Sequence, residues 1–264
     1  MSLCLWAFPS FAQAQALELT LGGGTAGPNN TVVIPLTVTN FTNIATYQGT
    51  ITFDPAALNY QSAADHLPGI MNTFGAPGQG SIPNNAITFA WYDPALMTTT
   101  LSDGDTIMLL TFVVDPNVVT GSTNIQLDGS TTPLGYTDDI NAGTLLALGT
   151  TTGVLTLDAD PPTVLTANIV SDNANDITLA TVADEITLTF NTSETPASTP
   201  VVNIVEGGAG AVAVMGSGTA YIAKKTVATG GDGLVTFSIT IEDIYANSFT
   251  QTVTTDGSQV TVDT

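Results

Sequence analysis

Residues Thr31 to Ser62 read TVVIPLTVTNFTNIATYQGTITFDPAALNYQS. Val32, Ile34, Leu36 and Val38 are apolar at every second position, while Pro35, Thr37 and Thr39 lie on the other side, with Val33 the exception. A period of two is the mark of a strand with one face in a core. Asn40 to Ala45 is a short connection. The alternation then resumes with Tyr47, Gly49, Ile51 and Phe53 pointing one way and Thr46, Gln48, Thr50 and Thr52 the other. Asp54-Pro55 stops this second strand, because proline fixes φ and removes a ladder donor.

Outward from this segment the same grammar repeats. Leu17 to Leu21 reads as a first strand and Gly22 to Asn30 as a turn-rich loop. Asp65 to Asn85 is rich in Gly, Pro and Asn and reads as a long loop. Ile87, Phe89 and Trp91 alternate inward, leaving Thr88, Ala90 and Tyr92 outward. Ile107 to Val114 is another strand, closed by Asp115-Pro116. Shorter apolar stretches at Ile125–Leu127, Leu145–Leu148 and Val154–Leu157 complete eight or nine strands, the count of a jelly-roll-like sandwich.

The segment resembles the opening of a cohesin domain. Val32-Val33-Ile34-Pro35-Leu36 stands where that family has a "VTVPV"-like strand, and Phe53-Asp54-Pro55 followed by Leu58 matches its aromatic-Asp-Pro stop. Ile107 to Val114 is similar to the family's later "l-x-x-l-x-F-x-V" strand. The resemblance covers residues 17–157. It implies a sandwich that presents one sheet face to a dockerin-like protein partner, in a polysaccharide-degrading or cell-surface assembly. Carried over position by position, it places Thr46 and Gln48 on that face, and the strand alternation puts Thr50, Thr88 and Tyr92 beside them as further candidate partner-binding residues. Many cohesins hold Asn and Asp where Thr46 and Gln48 stand, so the resemblance does not extend to a particular dockerin specificity.

Asp158-Ala159-Asp160-Pro161-Pro162 reads as a linker, residues 158–162, and the composition changes after it. Residues 163–264 contain about seven strands at sandwich-like spacing. They resemble a bacterial Ig-like repeat through the Pro161-Pro162-Thr163 start, Ile186-Thr187-Leu188-Thr189-Phe190 with Ser193-Glu194, and Glu242-Asp243-Ile244-Tyr245-Ala246-Asn247. The last block is similar to a "D-x-x-G-N" turn with alanine in place of glycine. The fold class expected is therefore all-β, with two β-sandwich domains, the first jelly-roll-like and the second Ig-like. The closing Val260-Thr261-Val262-Asp263-Thr264 resembles Leu155-Thr156-Leu157-Asp158 and suggests a longer modular chain.

The chain carries 2 Lys plus Arg against 23 Asp plus Glu, a formal net charge of −21. Both cations are lysines, Lys224 and Lys225, so residues 1–223 have none. Nucleic acid is excluded as a partner, since phosphate contacts need basic side chains. Residues 1–16 read as a truncated signal peptide, with an apolar run at Leu3–Ala12 and small-x-small cleavage sites at Ala12-Gln13-Ala14 and Ala14-Gln15-Ala16. That run is too short to insert across a membrane. Secretion or surface attachment is the expected location. The lone cysteine, Cys4, falls in the leader, so no disulfide is expected in the mature chain.

Chemistry is sparse. His66 is the single histidine, and no nucleophile elbow, HExxH or phosphate loop stands beside it. The acid pairs Asp138-Asp139 and Asp103/Asp105 are of the type glycoside hydrolysis uses, but both sit at turns, which they would cap. No enzymatic activity is expected, and no cofactor is required by the residues. Calcium is the one candidate ion, through Asp158, Asp160, Glu194 and Asp243, because hard cations take oxygen ligands; the competing reading is four solvated turn acids. Two further functional readings stay open beside the dockerin-like partner. One is a carbohydrate-binding module for a polysaccharide, with Tyr92 as a stacking surface. The other is a structural spacer of a surface adhesin.

Overall fold

The computed structural model describes residues 16–66, 72–92, 98–139, 143–208 and 211–264. The 1–16 leader thus lies, but for its last residue, outside the described residues. The chain divides into two compact units, Met1–Leu157 and Asp158–Thr264. Every regular element among the described residues is a strand.

The first unit is a sandwich of two sheets. Its strands are β1 (Glu18–Leu21), β2 (Gly24–Ala26), β3 (Thr31–Thr39), β4 (Ile44–Phe53), β5 (Leu58–Asp65), β6 (Asn72–Gly75), β7 (Ala86–Tyr92), β8 (Thr106–Val114), β9 (Gly121–Asp128), β10 (Gly135–Asp138), β11 (Gly149–Thr151) and β12 (Gly153–Leu157). One sheet runs β11-β1-β3-β8-β5. The other runs β2-β12-β9-β4-β7-β6, with β10 also paired to β4. The two strands read first in the sequence therefore lie in opposite sheets and face each other through the core. Ile34, Leu36 and Val38 meet Tyr47, Ile51 and Phe53 in one buried cluster. Val33 breaks the alternation and is 53% exposed, as its outward position requires. Tyr47 stacks on Trp91 with ring centroids 5.2 Å apart, and Phe41 meets both rings edge-on. Such aromatic pairing adds to the area term that drives burial.

Where β1 runs out, Gly22 faces Pro35 on β3, and a Cβ at Gly22 would stand 2.7 Å from Pro35 Cδ. The glycine is what lets the chain leave the sheet there. The Asp65–Asn85 region is not a plain loop, because it contains β6, which pairs with β7 from Asn72↔Trp91 to Gly75↔Thr88. Its short length hides the strand from a periodicity reading.

The second unit has three small sheets. Their strands are β13 (Val164–Ser171), β14 (Leu179–Ala180), β15 (Glu185–Thr192), β16 (Val201–Ile204), β17 (Ala213–Ser217), β18 (Ala220–Thr226), β19 (Gly233–Leu234), β20 (Phe237–Glu242), β21 (Ser248–Gln251) and β22 (Thr261–Val262). The orders are β13-β15-β18-β17, β14-β22-β19 and β16-β20-β21. All three sheets contribute to one core, including Ile169, Leu188, Phe190, Val202, Ile239 and Val262. The two lysines are adjacent on β18 and take opposite roles. Lys224 pairs with Glu185 at the surface. Lys225 is buried, and its ammonium donates to the carbonyls of Ile204 at 2.8 Å and Glu206 at 2.7 Å, with Val205 at 3.4 Å.

Candidate functional site

The outward residues of the β4 sheet form a ladder that the strand register lays out. Across β7, β4 and β10, Tyr92 lies beside Thr46 and Thr46 beside Thr137. The next rung is Ala90, Gln48 and Gly135, with Thr73 of β6 next to Ala90. The rung after that is Thr88, Thr50 and Asp128, followed by Ala86, Thr52 and Gln126. Four of the five residues expected at a partner face thus stand on one surface with at least part of the side chain open, and Tyr92 is 58% exposed.

Thr50 is the correction. It points outward as the alternation predicts, yet it is 0% exposed. The cover is residues 129–134. β4 pairs with β9 as far as Thr50↔Asp128 and with β10 from Gln48↔Gly135, so six residues, 129–134, fill the gap opposite the single residue Gly49. They rise over the sheet as a bulge of the kind that interrupts a ladder. The Thr50 hydroxyl accepts from the N–H groups of Thr132 at 2.8 Å and Thr131 at 3.3 Å and donates to the Thr132 carbonyl at 3.2 Å. One donor and two acceptors are the whole capacity of a hydroxyl. The Gln48 amide donates to the Pro133 carbonyl at 3.0 Å. Asp128 accepts from Ser130 N–H at 2.8 Å and from the Thr52 hydroxyl at 3.2 Å. Leu134 then dips to the core side, where a Cβ on Gly49 would stand 2.6 Å from Leu134 Cδ1.

The bulge divides the face in two. On one side is a platform of Thr46, Thr73, Ala90, Tyr92 and Thr137, with the Thr46 and Thr137 hydroxyls 2.8 Å apart. On the other side lie Thr52, Ser122, Asn124 and Gln126. Thr73, Thr137, Asn124 and Gln126 were not singled out by sequence reasoning, since only pairing reveals which strands neighbour β4. The turn-forming run Asp128-Gly129-Ser130 before Tyr136 is the one signal that could have marked the interruption.

The acids of the sequence are largely turn anchors. Asp103 accepts from Asn40 N–H at 2.8 Å and Asp105 from Ser102 N–H at 2.9 Å, which explains that pair without catalysis. Asp243 is 2% exposed. Its Oδ1 accepts from the N–H groups of Tyr245 and Asn247, and its Oδ2 from the Asn247 amide. The same amide donates to the Asp158 carbonyl at 3.0 Å. Asp158 Oδ1 accepts from Asp160 N–H at 3.3 Å. Among the described residues no three His, Cys, Asp or Glu side chains form a group that could hold a metal ion. Of the four carboxylates expected around calcium, Asp243 accepts three hydrogen bonds within its own turn. Glu194 does feel its neighbours. Partial burial, then the charges of Asp243 and Asp158, hold its carboxyl above the ordinary glutamate range.

Residues 17–146 match the family model of the cohesin domain. The match falls within the first unit. Among solved structures, the chain is similar to a type I cohesin–dockerin complex of Clostridium thermocellum built on Coh-OlpC, at 14% identity and a TM-score of 0.47, covering 57% of this chain and 99% of that one. It is similar to the seventh ScaB type I cohesin of Pseudobacteroides cellulosolvens at 18% identity and a TM-score of 0.43, covering 55% and 94%. A non-cellulosomal cohesin of the archaeon Archaeoglobus fulgidus is matched at 13% identity and a TM-score of 0.43, covering 55% and 93%. None of the curated proteins matches the sequence.

Proposed function

We propose that the cohesin-like unit is a non-catalytic recognition module that takes a dockerin-like protein on the outer face of its β4 sheet. The observation that carries this is the cohesin match over residues 17–146. The contact surface is the platform of Thr46, Thr73, Ala90, Tyr92 and Thr137, with Gln48 and Thr88 at its edge. Its named side chains are uncharged and include an exposed tyrosine, the residue type that anchors protein interfaces. The second unit, read as an Ig-like repeat, would be displayed with it in a secreted or cell-surface assembly acting on polysaccharide.

The test is capture on the immobilised full chain. A panel of purified dockerin modules is passed over the wild type and over Tyr92→Ala, with calcium and with chelator. Retention of a dockerin with calcium, weakened about tenfold or more by Tyr92→Ala, is the expected result. Retention that ignores Tyr92→Ala would move the contact off this platform. A panel with no retained member would leave the spacer reading in its place.

A further inference from the structure

On the far side of the bulge from the platform, the same sheet face sinks into an open depression of about 390 Å³. Thr52, Asp54, Asn85, Ser122, Asn124 and Gln126 supply its polar wall. Asp54, Ser122 and Thr123 also line an adjoining hollow of about 300 Å³, which extends the concavity towards Asn117 and Val119.

Three of these side chains are uncommitted. Several amides of this chain are used internally: Gln48 holds Pro133, Asn168 holds Asp256, Asn173 holds Asp184, and Asn247 holds Asp158 and Asp243. The side-chain amides of Asn85, Asn124 and Gln126 make no such bond among the described residues, and all three are exposed. Each offers two donor hydrogens and a carbonyl with two lone pairs. Their placement is rigid. Asn124 and Gln126 stand two apart on β9, an interior strand paired to β12 on one side and β4 on the other. Asn85 is fixed through its backbone carbonyl, which accepts from Phe53 N–H at 3.0 Å. Val154, the cross-strand neighbour of Asn124, is 48% exposed and gives the strip one apolar shoulder.

The chemistry of this strip selects its ligand. Amides and hydroxyls that both donate and accept match vicinal hydroxyl groups. With no Lys or Arg before residue 224, an anion finds no counter-charge here. A wall of neutral amides and hydroxyls, with Asp54 its one carboxylate, beside an apolar shoulder fits a neutral sugar ring, with hydroxyls on its rim and C–H groups on its face. We infer that the strip of Thr52, Asn85, Asn124 and Gln126 binds a neutral oligosaccharide, at a site separate from the protein platform. The 129–134 bulge keeps the two occupants apart, so one unit can hold a protein and a glycan at once. The inference does not depend on the partner reading above.

The test uses the full chain and defined probes: cellohexaose, xylohexaose, mannohexaose and chitohexaose, with an oligogalacturonate of similar length as the anionic control. Titration is followed by calorimetry and by the side-chain amide signals of isotope-labelled protein. Saturable binding of at least one neutral hexaose is expected, with the Asn85, Asn124 and Gln126 amide signals moving. Asn124→Ala and Gln126→Ala should each weaken it about tenfold, and Tyr92→Ala should leave it unchanged. These side chains are exposed, and an unaltered melting curve confirms that each variant folds. Absence of saturable binding by every neutral probe overturns the inference. So does binding that survives both substitutions, binding abolished by Tyr92→Ala, or equal affinity for the oligogalacturonate.

Discussion

The hydroxyl of Thr50 and the backbone N–H of Thr132 are 2.8 Å apart, joined across 82 positions of sequence. That bond, with its two companions, fastens the 129–134 bulge to the centre of the sheet face. It turns one continuous surface into a platform and a depression. It separates the two surfaces to which the functional proposals are assigned.

Thr50→Val keeps the shape of the side chain and removes its hydroxyl. Two N–H groups and a carbonyl then lose their partner under cover. The first unit should lose about 1–3 kcal/mol in urea unfolding. Hydrogen exchange should quicken at Thr131 and Thr132 before it does in the sheet. Thr50→Ser should restore most of the protection. Unchanged exchange at both amides in the valine variant would show that the bulge is held by something else.

Gly49 is the notch into which Leu134 fits. In Gly49→Ala the new methyl would stand 2.6 Å from Leu134 Cδ1 and 2.9 Å from Phe89 Cζ. Overpacking of this kind costs about 1–3 kcal/mol. A double variant with Leu134→Ala should recover part of the loss, which a double-mutant cycle by denaturant titration would measure.

Ala246 sits at φ 68° in the Asp243–Asn247 turn, a left-handed conformation that a Cβ opposes. The turn is built by Asp243, which accepts from Tyr245 N–H at 2.8 Å and Asn247 N–H at 2.9 Å. Ala246→Gly should stabilise the second unit by about 1 kcal/mol, the strain released less the entropy glycine adds to the unfolded chain. Calorimetry should show its transition several degrees higher. A lower Tm would mean that the unfolded-chain entropy outweighs the strain.

Glu194 should respond to pH in the sense opposite to a salt-bridged acid. Its carboxyl is held above the ordinary range, first by burial and then by Asp243 and Asp158. The folded state therefore binds its proton more tightly than the unfolded chain does. Its ionised form costs stability above the folded value, and the cost fades as pH falls through that value. Glu194→Gln should raise Tm at neutral pH and have no effect below about pH 4. Added salt should shrink the neutral-pH difference.

Lys225 is 3% exposed and is held by backbone carbonyls. Burial pulls its ammonium below the ordinary lysine range, with Glu206 opposing. The charged form thus costs the folded state something at neutral pH, and stability should rise as pH climbs through the folded value towards the unfolded one. Lys225→Met removes that titration but strands the carbonyls of Ile204 and Glu206. A net loss of about 1–3 kcal/mol is expected in denaturant titration, with the alkaline rise abolished.

Strand alternation was enough to place the central core of the first unit. Tyr47, Ile51 and Phe53 face Ile34, Leu36 and Val38 because a period of two leaves a strand no other way to bury them. Asp54-Pro55 likewise ended β4 where a ladder donor was missing. β6 is not legible in the sequence because four residues carry too little pattern to read. The acids could be listed by type, but their duties at turns appeared only with the N–H groups that fold back on them, as at Asp243.

What lies above an outward side chain was beyond the sequence. Thr46, Gln48, Thr50 and Thr52 follow one another with the same spacing and the same chemistry, and nothing local separates them. Alternation is a property of a single strand and fixes only which way a residue points. Cover depends on segments brought back from about 80 residues away, as Thr131 and Thr132 are brought to Thr50. Residues 17–53 by themselves determined a sandwich strand pair with a polar outer face. Only the tertiary structure decided that this face is divided, that Thr50 belongs to its support, and that Asn85, Asn124 and Gln126 share one concave strip.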